Sequence, residues 1–263
     1  MLNFSALHII ILVRYMINET RQNDSGSHSL ETLEGYMAAQ QALLYVLYTK
    51  DKEFIRDMRK EYINMNVFDA LQKRFAFLFQ EFKNIYISFS GGKDSGVLLN
   101  LLLDYRNKHA SDRVIGVFHQ DFEAQYTVTT DYITRTFKRL ENKSGIDLYW
   151  VCLPMATRTA LSSYEMYWYP WDDTKPDIWV RPIPEYPYVI NLTKPFAHYR
   201  YRMHQEDLAK QFGRFYKEEH GNGRTVCLLG MRADESLQRY SSFINKKYGY
   251  QNECWISRQF KDV

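Results

Sequence analysis

The chain has 263 residues, 45% of them hydrophobic, enough for one full core with a smaller appendage, and this predicts one main domain. Its 34 basic and 31 acidic side chains leave a formal charge of +3, too near balance for a protein whose main business is coating a polyanion, although a local basic face for nucleic acid stays open. Three cysteines, Cys152, Cys227 and Cys254, stand far apart with no C-x-x-C pair, which argues against a disulfide framework, a zinc site or an iron–sulfur cluster and fits a reducing cytoplasm.

In chain order, residues 1–29 read as a separable extension. Leu7-His8-Ile9-Ile10-Ile11-Leu12-Val13 has no basic leader and ends at Arg14, well short of a membrane span, so it predicts a docking strand or helix rather than an anchor. Residues 19–29 are polar around a Ser-Gly-Ser core, the composition of a flexible connection. From 30 to 82 the apolar positions recur at helical spacing, as in Phe68, Leu71, Phe75, Leu78, Phe79 and Phe82, and predict a helical lead-in.

The pattern changes at Ile85-Tyr86-Ile87-Ser88-Phe89, a β-branched and aromatic run that predicts a strand. A helix follows, with Val97, Leu98, Leu101, Leu102 and Tyr105 expected on its inward face. The alternation repeats, with strands at 114–118, 148–153 and 225–229. Helices fall at 126–140, where Tyr132, Ile133, Phe137 and Leu140 turn inward, and at 198–219. Short apolar strands alternating with amphipathic helices predict an α/β fold, a mainly parallel Rossmann-like sheet with helices on both faces over residues 83–263. Such sheets bind ligands at the carboxyl ends of their strands.

Ser90-Gly91-Gly92-Lys93-Asp94-Ser95 stands at the first of those ends, so backbone N–H groups and the positive end of a helix dipole converge there. The glycines let the main chain approach an anion, Ser88, Ser90 and Ser95 offer hydroxyls, Lys93 offers charge, and Asp94 is placed to cap the helix or hold magnesium. The spacing fits neither the Walker pattern nor the G-x-G-x-x-G fingerprint. The bland alternative is a tight strand-to-helix turn. A second constellation, Gly230-Met231-Arg232-Ala233-Asp234-Glu235-Ser236 with Arg239 two turns on from Arg232, again joins a strand end to a helix start, and Arg232 is suited to gripping a phosphate or sulfate. An ordinary surface pair of Arg232 with Glu235 is the alternative.

The second strand exits through His119-Gln120-Asp121-Phe122-Glu123, which puts Asp121 and Glu123 at the edge that carries the loop; His119 there reads as a hydrogen-bonded structural residue before a catalytic one. The stretch 155–197 carries Tyr164-Glu165-Met166-Tyr167-Trp168-Tyr169-Pro170-Trp171, Trp179 and Pro182, Pro184 and Pro187. Aromatics interleaved with prolines exclude a regular helix and predict an irregular insert. Each ring is expected to pack rather than touch substrate, with base stacking or closure over a ligand as the alternative.

Ser-Gly-Gly-Lys-Asp-Ser after an apolar strand resembles the PP-loop of the adenine-nucleotide α-hydrolases, the family of ATP pyrophosphatases and phosphoadenosine phosphosulfate (PAPS) reductases. Gly230 to Ser236 resembles the Gly-x-Arg-x-x-Glu-Ser segment of the same family. The likeness spans about residues 67–240. More narrowly, Trp150-Val151-Cys152-Leu153-Pro154-Met155, Trp168-Tyr169-Pro170-Trp171-Asp172 and Arg232 to Ser236 are similar to a phage- and plasmid-associated PAPS reductase-like branch. The resemblance implies ATP or PAPS bound with Mg2+ at Ser88, Ser90 to Ser95, Asp121, Gly230, Arg232, Glu235, Ser236 and Arg239. It also implies catalytic roles for Lys93, Asp94 and Arg232, and Asp94 and Asp121 near metal or, for Asp121, the sugar. True reductases attack sulfur with a cysteine in a C-terminal Glu-Cys-Gly-x-x-His motif, whereas Glu253-Cys254 is followed here by Trp255-Ile256-Ser257.

Three functions are expected in descending order. The first is ATP cleavage between the α and β phosphates to adenylate an acceptor the sequence does not identify. The second is sulfonucleotide reduction, and the third is non-catalytic nucleotide binding in a regulator with a protein partner. The ending at Lys261-Asp262-Val263 has no helix stop or tail signal, and a C-terminal truncation is a further expectation.

Overall fold

The computed structural model describes residues 65–159, 161 and 164–231 and the backbone of two further strands, all within one compact unit, Lys60–Val263. The extension at 1–29, the lead-in at 30–64 and the segment carrying Arg232, Glu235, Ser236 and Arg239 lie outside the described residues.

Helix α1 (Val67–Glu81) opens on Asn66, whose side chain accepts a hydrogen bond from the Asp69 amide at 2.8 Å and satisfies one of the first-turn donors. It buries Leu71, Phe75 and Leu78 and leaves Phe68 half exposed. Strand β1 (Asn84–Ser88) leads into α2 (Lys93–His109), β2 (Ile115–Gln120), α3 (Thr127–Leu140) and β3 (Ile146–Val151). The insert contains the hairpin β4 (Thr157–Arg158) and β5 (Tyr167–Trp168), a 3-10 turn (Pro176–Ile178) and β6 (Val189–Ile190). Then come α4 (Gln205–Glu219), β7 (Thr225–Leu229), β8 (Tyr250–Gln251) and β9 (Cys254–Arg258).

The main sheet has the order β6-β3-β2-β1-β7-β9-β8, parallel throughout except for the β8–β9 pair, so the α/β, Rossmann-like expectation holds. The period-2 alternation of β1 decides the layers. Ile85 and Ile87 face a core shared with α1, α2 and α3, while Tyr86 faces an aromatic core with Phe118, Phe212 and Tyr216 under α4. The helices therefore cover both faces, and each fully buried Leu, Ile or Phe removed from water adds roughly 1.5 to 3 kcal/mol.

Observed strand limits differ from the expected ones by a residue or two, and 225–229 coincides. The inward stripe of α2 is rotated from the expected one: Leu98, Leu99, Leu102 and Leu103 are buried, while Val97 is 50% exposed. The helix settles on the shared core along its Leu98–Leu102 ridge, so Leu101 and Tyr105 line the border of that core instead.

Candidate functional site

From β1 the chain steps one way to β2, β3 and β6, and later returns on the other side with β7. The order of the sheet therefore reverses between β1 and β7, whose carboxyl ends Ser88 and Leu229 are paired neighbours. The loop Ser90 to Ser95 leaves β1 at this switch point.

Phe89, just ahead of the loop, is clamped from two sides: its amide donates to the Phe118 carbonyl at 2.7 Å, and its carbonyl accepts from His119 Nδ1 at 2.8 Å. Ser90, Gly92 and Lys93 are exposed, and Gly92 is the N-cap of the 17-residue α2 with no side chain to cap it. Gly91 has φ +78°, and a Cβ there would come within 2.7 Å of Ile133 in α3, so both backbone and space require glycine. The loop closes on itself. The Gly92 amide donates to Ser90 Oγ at 3.3 Å, the Ser90 and Ser95 hydroxyls lie 3.0 Å apart, and Ser95 Oγ donates to the Gly92 carbonyl at 3.0 Å. Ser95 is 4% exposed, so its hydroxyl shapes the loop rather than facing outward.

Gly230 joins the two constellations read from sequence. A Cβ on it would lie 2.8 Å from the Ser95 nitrogen and 2.9 Å from the Asp94 carbonyl carbon, so the end of β7 rests directly on the first turn of α2. The two strand ends thus share one site. Asp94 sits in that first turn, where its charge complements the helix dipole.

Asp121 takes a different position from the one expected at a sugar or metal. It is fully buried, and its oxygens accept from Arg181 Nη2 at 2.6 and 2.7 Å, from Trp150 Nε1 at 2.6 Å and from the Glu123 amide at 2.8 Å. Burial by itself raises its pKa; the nearby His119, the Arg181 guanidinium and the Trp150 indole outweigh it and hold the carboxyl below the usual carboxylate range. With both oxygens spent on protein donors, Asp121 enters the site through what it holds. Glu123 does the same for the insert backbone, accepting from the amides of Trp171 at 2.7 Å and Val180 at 3.0 Å. Trp171, 1% exposed, donates its indole N–H to the Asp121 carbonyl, and Arg181 lies 4.8 Å over its ring. The insert is therefore fastened to the end of β2 by two carboxylates.

His119 is buried against Trp150 and Phe137, and desolvation lowers its pKa, so the ring is neutral near pH 7 with the proton on Nδ1, since only a donor can serve the Phe89 carbonyl. Cys152 is buried and desolvation pushes its thiol up, away from nucleophilic use.

Two openings adjoin this edge. One of about 600 Å3 is lined by Ala124, Gln125, Tyr126, Thr129 and Val180; Thr129 is the residue that, with Ile133, lies against Gly91. The second, of about 700 Å3, shares Ala124 and Val180 with it and runs along the insert past Trp168, Tyr169, Trp179 and Arg202. Arg181 and Arg202 were not anticipated from sequence: Arg181 is a single cation before a proline, Arg202 ends the run Tyr199-Arg200-Tyr201-Arg202, and only the fold sets them beside Asp121 and the cleft. In β9 the backbone of Arg258 pairs with Leu229 at the loop edge, whereas that of Cys254 pairs with Thr225 at the opposite end of the sheet.

Among the described residues no group of three or more His, Cys, Asp or Glu is placed to hold a metal, and no helix is long and apolar enough to cross a membrane. Magnesium brought in with phosphates needs only one or two carboxylates from the protein; of the two expected for it, Asp94 sits in the first turn of α2 and Asp121 is committed to protein donors.

No protein-family model matches the chain. It is similar to a protein of Escherichia coli strain K12 named uncharacterized protein YbdN, with 29% identity over 198 residues. That similarity covers 73% of this chain and 46% of the relative, so the chain spans about half the length of the curated protein it matches.

Proposed function

We propose that the chain binds an adenine nucleotide with its phosphates on the loop Ser90 to Ser95 and, with magnesium, cleaves ATP between the α and β phosphates to adenylate an acceptor. An acceptor oxygen attacks the α-phosphorus, the bond from that phosphorus to the α,β-bridging oxygen breaks, and pyrophosphate leaves with the electron pair. The observation that carries this reading is the junction at the switch point. The glycine loop, the start of α2 and the Gly230 end of β7 are packed against one another, and N–H groups and the helix dipole there favour an anion. Lys93 adds a positive charge at the first helical residue, and Arg232, two residues beyond Gly230, is the second cation of the reading. Magnesium held through Asp94 would neutralise the phosphate oxygens as charge moves onto the leaving group.

Sulfonucleotide reduction is the weaker reading, because Cys254 begins β9 beside Thr225, one full strand away from the carboxyl edge where the loop lies. Five residues of strand are about 13 to 17 Å.

Isothermal titration with ATP, a non-hydrolysable analogue and PAPS, each with magnesium, followed by chromatography of the products, tests the reading. Binding of ATP with release of pyrophosphate and AMP is the expected result. Binding of PAPS alone would restore the reductase, and tight ATP binding without turnover would favour a regulator.

A further inference from the structure

The larger opening beside the insert is lined by no residue of the loop Ser90 to Ser95. Its volume of about 700 Å3 is that of a small-molecule pocket, and Tyr167, Trp168, Tyr169 and Trp179 supply rings around two cations, Lys175 and Arg202. Arg202 is held in place from several directions. Nη2 donates to Asp172 Oδ1 at 2.6 Å and reaches Thr174 Oγ1 at 3.4 Å, and the guanidinium lies 4.5 Å over Tyr169 and 5.2 Å over Tyr201. Its Nε is sealed from the cleft, whereas its Nη1 is not among the buried atoms and has no acceptor among the described residues.

The anions of the same wall are already used or exposed. Glu123 accepts the Trp171 and Val180 amides, Asp172 accepts from Thr174 and Arg202, and Glu165 is exposed. The wall also stores backbone strain: Glu123, Trp171 and Arg202 adopt φ of 61°, 56° and 53° although none is glycine, and such residues persist where the surrounding structure over-determines them. Ala124 and Val180 line both openings, so the cleft continues toward Thr129 and the phosphate loop.

We propose that this cleft binds a small organic carboxylate bearing an aromatic ring, its carboxylate on Arg202 and Lys175 and its ring among Trp168, Tyr169 and Trp179. A guanidinium whose Nη1 is left without an acceptor among the described residues can donate to a carboxylate. Lys175 and an Arg202 already paired with Asp172, beside Glu165, suit a single negative charge better than a doubly charged phosphate. A phosphodiester chain would need a row of cations along the groove, and the lining holds two. The binding stands without the nucleotide; the role of this molecule as the acceptor, delivered along the continuous edge to the loop, rests on the nucleotide reading.

The test is 19F NMR of 4-fluorophenylacetate titrated with the full chain in the absence of nucleotide, with ATP binding measured separately on the same preparations. Saturable line broadening is expected, and Arg202→Gln should weaken binding about tenfold or more, the size of a lost charge-assisted hydrogen bond. Lys175→Gln, at an exposed position where folding is not at issue, should weaken it severalfold, and 4-fluorobenzyl alcohol, the ring without the charge, should bind less well than the carboxylate. The proposal is overturned by an absence of saturable broadening, by equal binding of the alcohol, by tighter binding of 4-fluorophenyl phosphate, or by unchanged affinity in Lys175→Gln and in a folded Arg202→Gln. Carboxylate binding without any ATP binding would keep the cleft and remove the nucleotide site; ATP binding without carboxylate binding would do the reverse.

Discussion

The loop Ser90 to Ser95 and the aromatic insert occupy the same edge of the sheet and are made in opposite ways. The loop consists largely of small residues whose polar atoms satisfy one another, Ser90 with Ser95 and both with Gly92, and its outward surface carries Ser90, Gly92 and Lys93. The insert consists of large rings held by carboxylates from β2, with its cations fixed by ion pairs and by ring faces. An anion that must come close to the main chain requires the first construction; a shaped cavity requires the second, because only bulky, immobilised side chains can wall a space without regular secondary structure.

The contrast predicts that damage to Asp121 is global and damage to the loop is local. Asp121→Ala should lower unfolding free energy by about 3 to 5 kcal/mol in urea denaturation, since it leaves the Arg181 charge buried and unpaired; Asp121→Asn combined with Arg181→Met should recover part of that loss. A single-variant loss below about 1 kcal/mol would show that the insert does not depend on the pair. Acid probes the same hub. Asp121 has a lowered folded-state pKa, so its stabilisation is complete above the ordinary carboxylate value of 3.8 and is lost as pH falls through the folded value. His119, also lowered, from 6.5, binds a proton more readily when unfolded, so stability should begin to fall below pH 6.5 and fall faster below 4. His119→Phe should flatten the first of these phases.

Within the loop, two adjacent glycines should behave differently. Gly91→Val forces a left-handed backbone and a clash with Ile133, and should cost about 1 to 3 kcal/mol in stability and abolish nucleotide binding. Gly92→Ala keeps φ −79° and has no atom nearer than Ser90 Oγ at 3.4 Å, so stability should change by less than about 0.5 kcal/mol. Equal effects at the two positions in thermal melts would contradict the loop geometry. Ser95→Ala opens the hydroxyl ring and should weaken ATP binding, measured by calorimetry, by about 1 kcal/mol with the sheet intact. The smallest effect is expected of Cys254→Ser, which should leave ATP turnover unchanged; loss of activity there would bring the reductase reading back.

What was legible in the sequence is what depends on neighbours along the chain. Alternation in Ile85-Tyr86-Ile87 and helical spacing in Ile133, Phe137 and Leu140 reflect local geometry, and they mark strands, helices and a parallel sheet whose ends carry Ser90 to Ser95 and Gly230. Val97 was misplaced because spacing gives the width of an apolar stripe but not the rotation at which a helix settles on its sheet. Tertiary structure alone decided the pairing of Asp121 with Arg181 across sixty positions, the use of Glu123 as an anchor for the insert, the contact of Gly230 with the backbone of Ser95, and the placing of Cys254 at the far end from the loop. Ion pairs, close approaches and strand register join residues distant in sequence and leave no periodic trace in it, so they exist only once the chain has folded.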